Sequence, residues 1–101
     1  MKEKGGEINQ INKLIHEPAR LAIMAVLSAT DAVDFKYLMT STELTKGNLS
    51  SHLAKLETAG YVAIEKRFIG KIPNTVVRLT PVGRTEFDIY LKNIRKVMKH
   101  L

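Results

Sequence analysis

Between Thr45 and Val62 the sequence TKGNLSSHLAKLETAGYV spaces small hydrogen-bonding side chains and cations so that one helix would gather them on a single face. Taking Leu49 as the inward reference, Leu49, Leu53 and Leu56 form the apolar side, and Gly47, Ser51 and Ala54 fall nearly opposite, flanked by Asn48, Ser50 and Lys55. The chemistry such a face offers is hydrogen bonding at close range. Asn48 can bond an adenine edge or a phosphate, Ser50 and Ser51 can reach either, and Gly47 lets the backbone come close. Lys46 and Lys55 can neutralise phosphate charge. A plain amphipathic core helix with a polar outer face has the same pattern, so the elements around it must decide.

Bond-making chemistry finds no foothold. Nucleophilic catalysis needs a hydroxyl with a base and an orienting acid, and metal catalysis needs converging His and carboxylates; neither set can be picked out. The run His16-Glu17-Pro18 lacks the second His of a zinc-protease helix, and no glycine-rich phosphate loop is present. His16, His52 and His100 share no metal-ligand spacing; they read as packed or solvent-facing residues, with His52 able to touch a phosphate. The chain has no cysteine, which removes disulfides, thiolate metal sites and thiol redox sensing. The expectation is a non-enzyme that needs no metal and no cofactor.

Charge narrows the partner. The formal net charge is +6, and residues 36–84 carry eight Lys/Arg against three Asp/Glu, a net of +5, whereas residues 1–35 carry four against five. A cationic middle is the footprint of a surface that meets phosphate. Its second cluster, Lys66, Arg67 and Lys71, surrounds GKIPN at positions 70–74 and suits contact with a nucleic-acid backbone. The alternative is that these charges blunt an exposed sheet edge. Arg78 and Arg84 stand where they could instead be paired inside the protein.

The elements that would position these residues follow from periodicity and caps. Residues 1–6 read as a flexible arm, and Ile8, Ile11, Leu14 and Ile15 predict an N-terminal helix over 8–16. Pro18 opens a second helix, apolar nearly all round, that should be buried. Asp34 can cap a short helix carrying Phe35, Leu38 and Met39, and Thr45 can cap the next, which Gly60 closes; together 34–60 is a helix-turn-helix candidate. From Tyr61 the period drops to about two through Val62, Ile64 and Phe68, then GKIPN, then Thr75 to Leu79, which predicts a β-hairpin wing over 61–80. A last helix, 81–101, starts at Pro81.

In this order the segments resemble the winged helix-turn-helix regulators of the MarR/ArsR-like group, particularly a small one-domain subfamily. The resemblance covers roughly residues 8–95 and is carried chiefly by KGNLSSHLAKLETAGYV and GKIPNTVVRLTPVGR. It implies an α+β winged helix with a three-helix core, a hairpin wing and an extra C-terminal dimerisation helix. It also implies a homodimeric transcriptional regulator whose recognition helices sit in successive major grooves of double-stranded DNA, with the wings on phosphates or in the minor groove. Metal- and oxidant-sensing members of the group typically carry cysteines, so the lack of them here puts those modes in doubt.

The last helix supplies the dimer expectation from its own residues. Phe87, Leu91, Ile94, Met98 and Leu101 recur at four, three, four and three, with Tyr90 and Val97 widening the seam, and Ile8, Ile11 and Ile15 offer a second stripe. Both stripes could instead pack within one chain. No apolar run approaches the length of a membrane span and no signal peptide is visible, so a cytoplasmic single-domain protein is expected, its small-molecule effector unknown. The competing reading is a winged-helix protein-interaction module, on which the basic surface is incidental.

Overall fold

Four residues, Glu17, Asp34, Thr45 and Thr80, each stand directly before a helix and accept, through the side chain, a backbone N–H of its first turn. They start α1 (Pro18–Ser28), α2 (Phe35–Thr42), α3 (Lys46–Thr58) and α4 (Pro81–Lys99). Pro18 and Pro81 sit at first helical positions, where the missing N–H costs nothing. The architecture is that of a computed structural model, which describes residues 10–101.

The predicted wing is β2 (Val62–Ile69) and β3 (Ile72–Leu79), paired antiparallel from Val62↔Leu79 to Ile69↔Ile72. The two-residue turn Gly70–Lys71 joins them, with Gly70 at φ 64°, a left-handed value that a side chain rarely tolerates. A further strand, β1 (Val33–Asp34), pairs through Val33↔Val77 and gives the sheet order β1-β3-β2. Sequence periodicity could not reveal it, since two residues carry no period. Gly60 closes α3 at φ 81°, as its position predicts.

The expected helix over 8–16 is corrected in its described part. Residues 10–16 form turns. The reason is Asn12, whose Oδ1 accepts the N–H groups of Leu14 (3.0 Å) and Ile15 (3.1 Å), while its Nδ2 donates to the Tyr61 hydroxyl (2.8 Å). An amide side chain that binds nearby backbone groups competes with helix continuation. Residues 1–9, and with them Ile8, lie outside the described residues.

One cluster of buried apolar side chains unites the helices and the wing base: Ile11, Ile15, Ile23, Met24, Leu27, Leu38, Leu49, Leu53, Leu56, Val62, Val77, Leu79, Phe87 and Tyr90. Leu49, Leu53 and Leu56 are the inward face of α3 anticipated from spacing. The corner between wing and α4 is tighter still. The Thr80 N–H donates to Tyr61 O (3.0 Å), its hydroxyl donates to Gly60 O, and Gly83 lies against the Tyr61 backbone. A Cβ on Gly83 would overlap the Tyr61 carbonyl group, with the main chain itself in the way. Gly83→Ala is therefore expected to destabilise the fold by about 3 kcal/mol, the upper range for overpacking. Thermal unfolding would show it as a clear drop in Tm, and an unchanged Tm would contradict the tight corner.

Candidate nucleic-acid interface

The outer side of α3 presents a row of polar groups to solvent. Lys46, Gly47, Asn48, Ser50, Ser51 and Lys55 are all exposed. Among the described residues, the side chains of Lys46, Asn48, Ser50, Ser51 and Lys55 make no hydrogen bond or ion pair. No other group among the described residues uses them. Gly47 belongs to the same row, and a Cβ there would meet no atom within 4 Å, so the fold itself does not require glycine.

The opposite side of α3 is braced. His52, half-buried, places Nδ1 3.1 Å from Arg20 Nη1 and 3.8 Å from the Glu17 carboxylate, and Arg20 also donates from Nε to Leu14 O. Arg20 has only donors, so His52 Nδ1 must accept and the proton sits on Nε2. The backbone N–H of Arg20, then the charge of its guanidinium, lower the Glu17 carboxyl below its usual range. Charge and hydrogen bonding from α1 thus fix the orientation of α3. The sequence offered no signal for this brace, because Arg20 and His52 are 32 positions apart. His52 faces this brace and not the exposed row.

Between α3 and the wing runs a groove of about 590 Å³, lined by Phe35, Lys46, Ser50, Leu53, Ala54, Glu57, Ile64, Lys66 and Thr75. Lys46 and Lys66 occupy opposite banks, and Ser50 lies between elements that sequence alone could not bring together. Lys66 and Arg67 are neighbours in the chain, yet strand alternation sends them to opposite faces of the hairpin. Only Lys66 shares the groove.

Arg67 has a partner instead. Its Nη2 donates to Glu65 Oε1 at 2.9 Å, and Arg78 Nη1 approaches the same oxygen at 3.7 Å. The hydrogen bond and charge of Arg67, then the charge of Arg78, hold the Glu65 carboxyl below the ordinary carboxylate range, so it is ionised near neutrality. Glu65 is the residue of this surface that sequence reasoning passed over. Register explains its reach: Glu65 opposes Val76 and Ala63 opposes Arg78, which sets Arg78 diagonally across from Glu65 on one face. Arg84 is paired within the protein too, donating to Ser28 O (3.3 Å) and Thr30 O (3.5 Å) at the end of α1. Lys71, in the wing turn, is exposed and makes no ion pair among the described residues.

The two apolar stripes divide differently from the expectation. Ile11, Ile15, Phe87 and Tyr90 are buried in this chain's own core; Tyr90 stacks on Phe87 with its hydroxyl 2.8 Å from His16 Nδ1, and burial raises its pKa. They are already covered within this chain. Leu91, Ile94 and Val97 are half-buried, and Met98 and Leu101 are 65% and 95% exposed. The seam that remains open is therefore the C-terminal half of α4.

Among the described residues no group of His, Cys, Asp or Glu could hold a metal ion, and no helix is long and apolar enough to cross a membrane. The family described as winged helix DNA-binding domain matches residues 19–98. An uncharacterized protein of Methanocaldococcus jannaschii is 34% identical over 89 residues, covering 88% of this chain and 97% of that one. The structure of a transcriptional regulator homologue from Pyrococcus horikoshii superposes with a TM-score of 0.87 at 32% identity, over 94% of this chain and 96% of that one. A protein of Enterococcus faecalis assigned to the MarR family of transcriptional regulators shares the fold, with a TM-score of 0.76 at 23% identity, over 99% of this chain and 90% of the other.

Proposed function

Because the chain belongs to the winged helix DNA-binding domain family, whose fold it shares with MarR-family regulators, we propose that it binds double-stranded DNA sequence-specifically as a homodimeric transcriptional regulator. In this reading α3 enters the major groove and the wing meets the backbone or the minor groove. The observation that carries it is the row Lys46, Gly47, Asn48, Ser50, Ser51 and Lys55. These groups are exposed, and their side chains are unengaged among the described residues, on a helix whose other face is locked to the core. Small polar groups near a helix start are what base edges in the major groove require. Lys46 and Lys66, facing across one groove, suit a phosphate strand running between helix and wing.

The dimer is supported by the apolar side chains left uncovered at and just beyond the end of α4, Met98 and Leu101 above all. Two copies joined there around a two-fold axis would offer two recognition helices to one duplex. Any small-molecule effector would sit in the crevice between the copies.

The wing charges give the experiment. Lys71→Ala is expected to weaken binding to operator and random duplex alike and to lower the slope of log K against log salt by about one unit, as for one lost phosphate contact. Glu65→Gln should do the opposite, since it releases the Arg67 and Arg78 guanidinium groups: random-duplex affinity rises and the slope steepens by about one unit. Titrations of both variants over a salt series read this directly. If Lys71→Ala keeps the slope of the unaltered protein, the phosphate role of the wing is wrong.

A further inference from the structure

The end of the wing carries an apolar surface that the fold does not use. Phe68, Ile69 and Ile72 are 71%, 65% and 70% exposed, and none belongs to the buried cluster or packs against it. Register pairs Phe68 with Pro73 and Ile69 with Ile72. Alternation along each strand puts the first pair on one face of the hairpin and the second on the other. Both faces of the tip are therefore apolar, on either side of a two-residue turn with no loop slack. Exposed apolar groups clustered this way mark a contact surface.

Its borders identify the partner. Lys71 stands in the turn, and Lys66 and Arg67 follow within the next rungs. An apolar tip set among cations fits a ligand that is anionic outside and apolar within. Lys66 also lines the groove shared with the exposed row of α3, so the tip continues the surface read above as meeting DNA.

We propose that the wing tip is an apolar wedge that enters the DNA minor groove, levers it open, and selects sites with an easily unstacked pyrimidine–purine step. The proposal rests on the DNA-binding reading and adds how the wing acts. Hairpin strands lie about 4.8 Å apart before side chains are counted, and the minor groove of B-DNA is only about 6 Å wide. A tip bearing Phe68 and Pro73 on one face and Ile69 and Ile72 on the other cannot enter without widening it. Inserted apolar side chains unstack base steps and bend the duplex toward the major groove, at least cost at TA and CA/TG steps. Sequence would thus be read at positions that receive no hydrogen bond.

The test uses the full chain with Phe68→Ser and with the double change Ile69→Ser/Ile72→Ser, exposed positions whose loss leaves the core intact. End-to-end energy transfer on a labelled operator duplex measures the bend, and paired operators differing only by TA or AA beneath the wing measure the preference. The unaltered protein is expected to shorten the duplex and to favour TA about ten-fold. Both effects should be lost in the double variant, with operator affinity about ten-fold weaker, the scale of one aliphatic side chain returned to water. The salt slope should stay, because Lys66 and Lys71 remain. An unaltered protein that binds the operator without bending it overturns the wedge alone, as does a double variant that bends and discriminates as before. So does a tip change that alters only self-association or binding to anionic vesicles. Failure of the unaltered protein to bind any duplex would overturn the DNA-binding reading as well.

Discussion

Ser51→Glu is expected to lower operator affinity by about 100-fold or more while leaving Tm unchanged. Ser51 is exposed and bonds no other side chain among the described residues, so the fold loses nothing when it is replaced, and surface changes of this kind stay within about 0.5 kcal/mol. If this face of α3 meets DNA as proposed, a carboxylate on it acts twice. It removes a hydroxyl able to bond a base edge, and it sets a like charge against phosphate, a juxtaposition that costs several kcal/mol; each 1.4 kcal/mol is ten-fold. Asn48→Glu should behave alike, because Thr45 and not the Asn48 side chain caps the helix. The outcome to watch is specific against random duplex: the first should collapse onto the second. A variant that keeps the operator footprint of the unaltered protein would remove α3 from the interface.

Placing aspartates at and just beyond the end of α4 is expected to yield a folded monomer with operator affinity reduced about 100-fold or more, although the exposed row of α3 is untouched. The affinity loss is that of giving up a second linked site, where two-site engagement multiplies affinity by about 10² to 10⁴. Met98→Asp/Leu101→Asp is the informative pair. These positions are 65% and 95% exposed, so the monomer core does not depend on them. Ile94→Asp with Met98→Asp would cut the same seam, but Ile94 packs partly against the core, and some of its effect would be ordinary destabilisation. Sedimentation at micromolar concentration reads the result. A protein that is monomeric before any change and still binds its operator fully would refute the dimer.

Much of the frame was legible because its signals are local. Asp34, Thr45 and the Pro81 start are chemical marks of helix entry, Leu49, Leu53 and Leu56 report one face, and the Gly70–Lys71 turn lies between two runs of period two. What stayed hidden depends on pairs distant in the chain. Asn12 turns the backbone at 12–15 and bonds Tyr61, 49 positions away. Phe87 and Tyr90 keep perfect register with Leu91 and Ile94, yet the first two are covered by this chain and the seam opens only beyond them. Periodicity reports a stripe without saying which body covers it. The exposed row of α3 was readable as a face, and its lack of internal partners was not. Arg67 was readable as a cation, whereas its capture by Glu65, with Arg78 alongside, required the hairpin register.

Specific duplex recognition by a two-fold pair of recognition helices can be read by selecting bound duplexes from a random-sequence pool. The expected result is enrichment of a near-palindrome whose half-sites are centred about one DNA turn apart, roughly 34 Å. A pool that remains random through successive rounds at low salt, or one that converges on a single unpaired half-site, would contradict it.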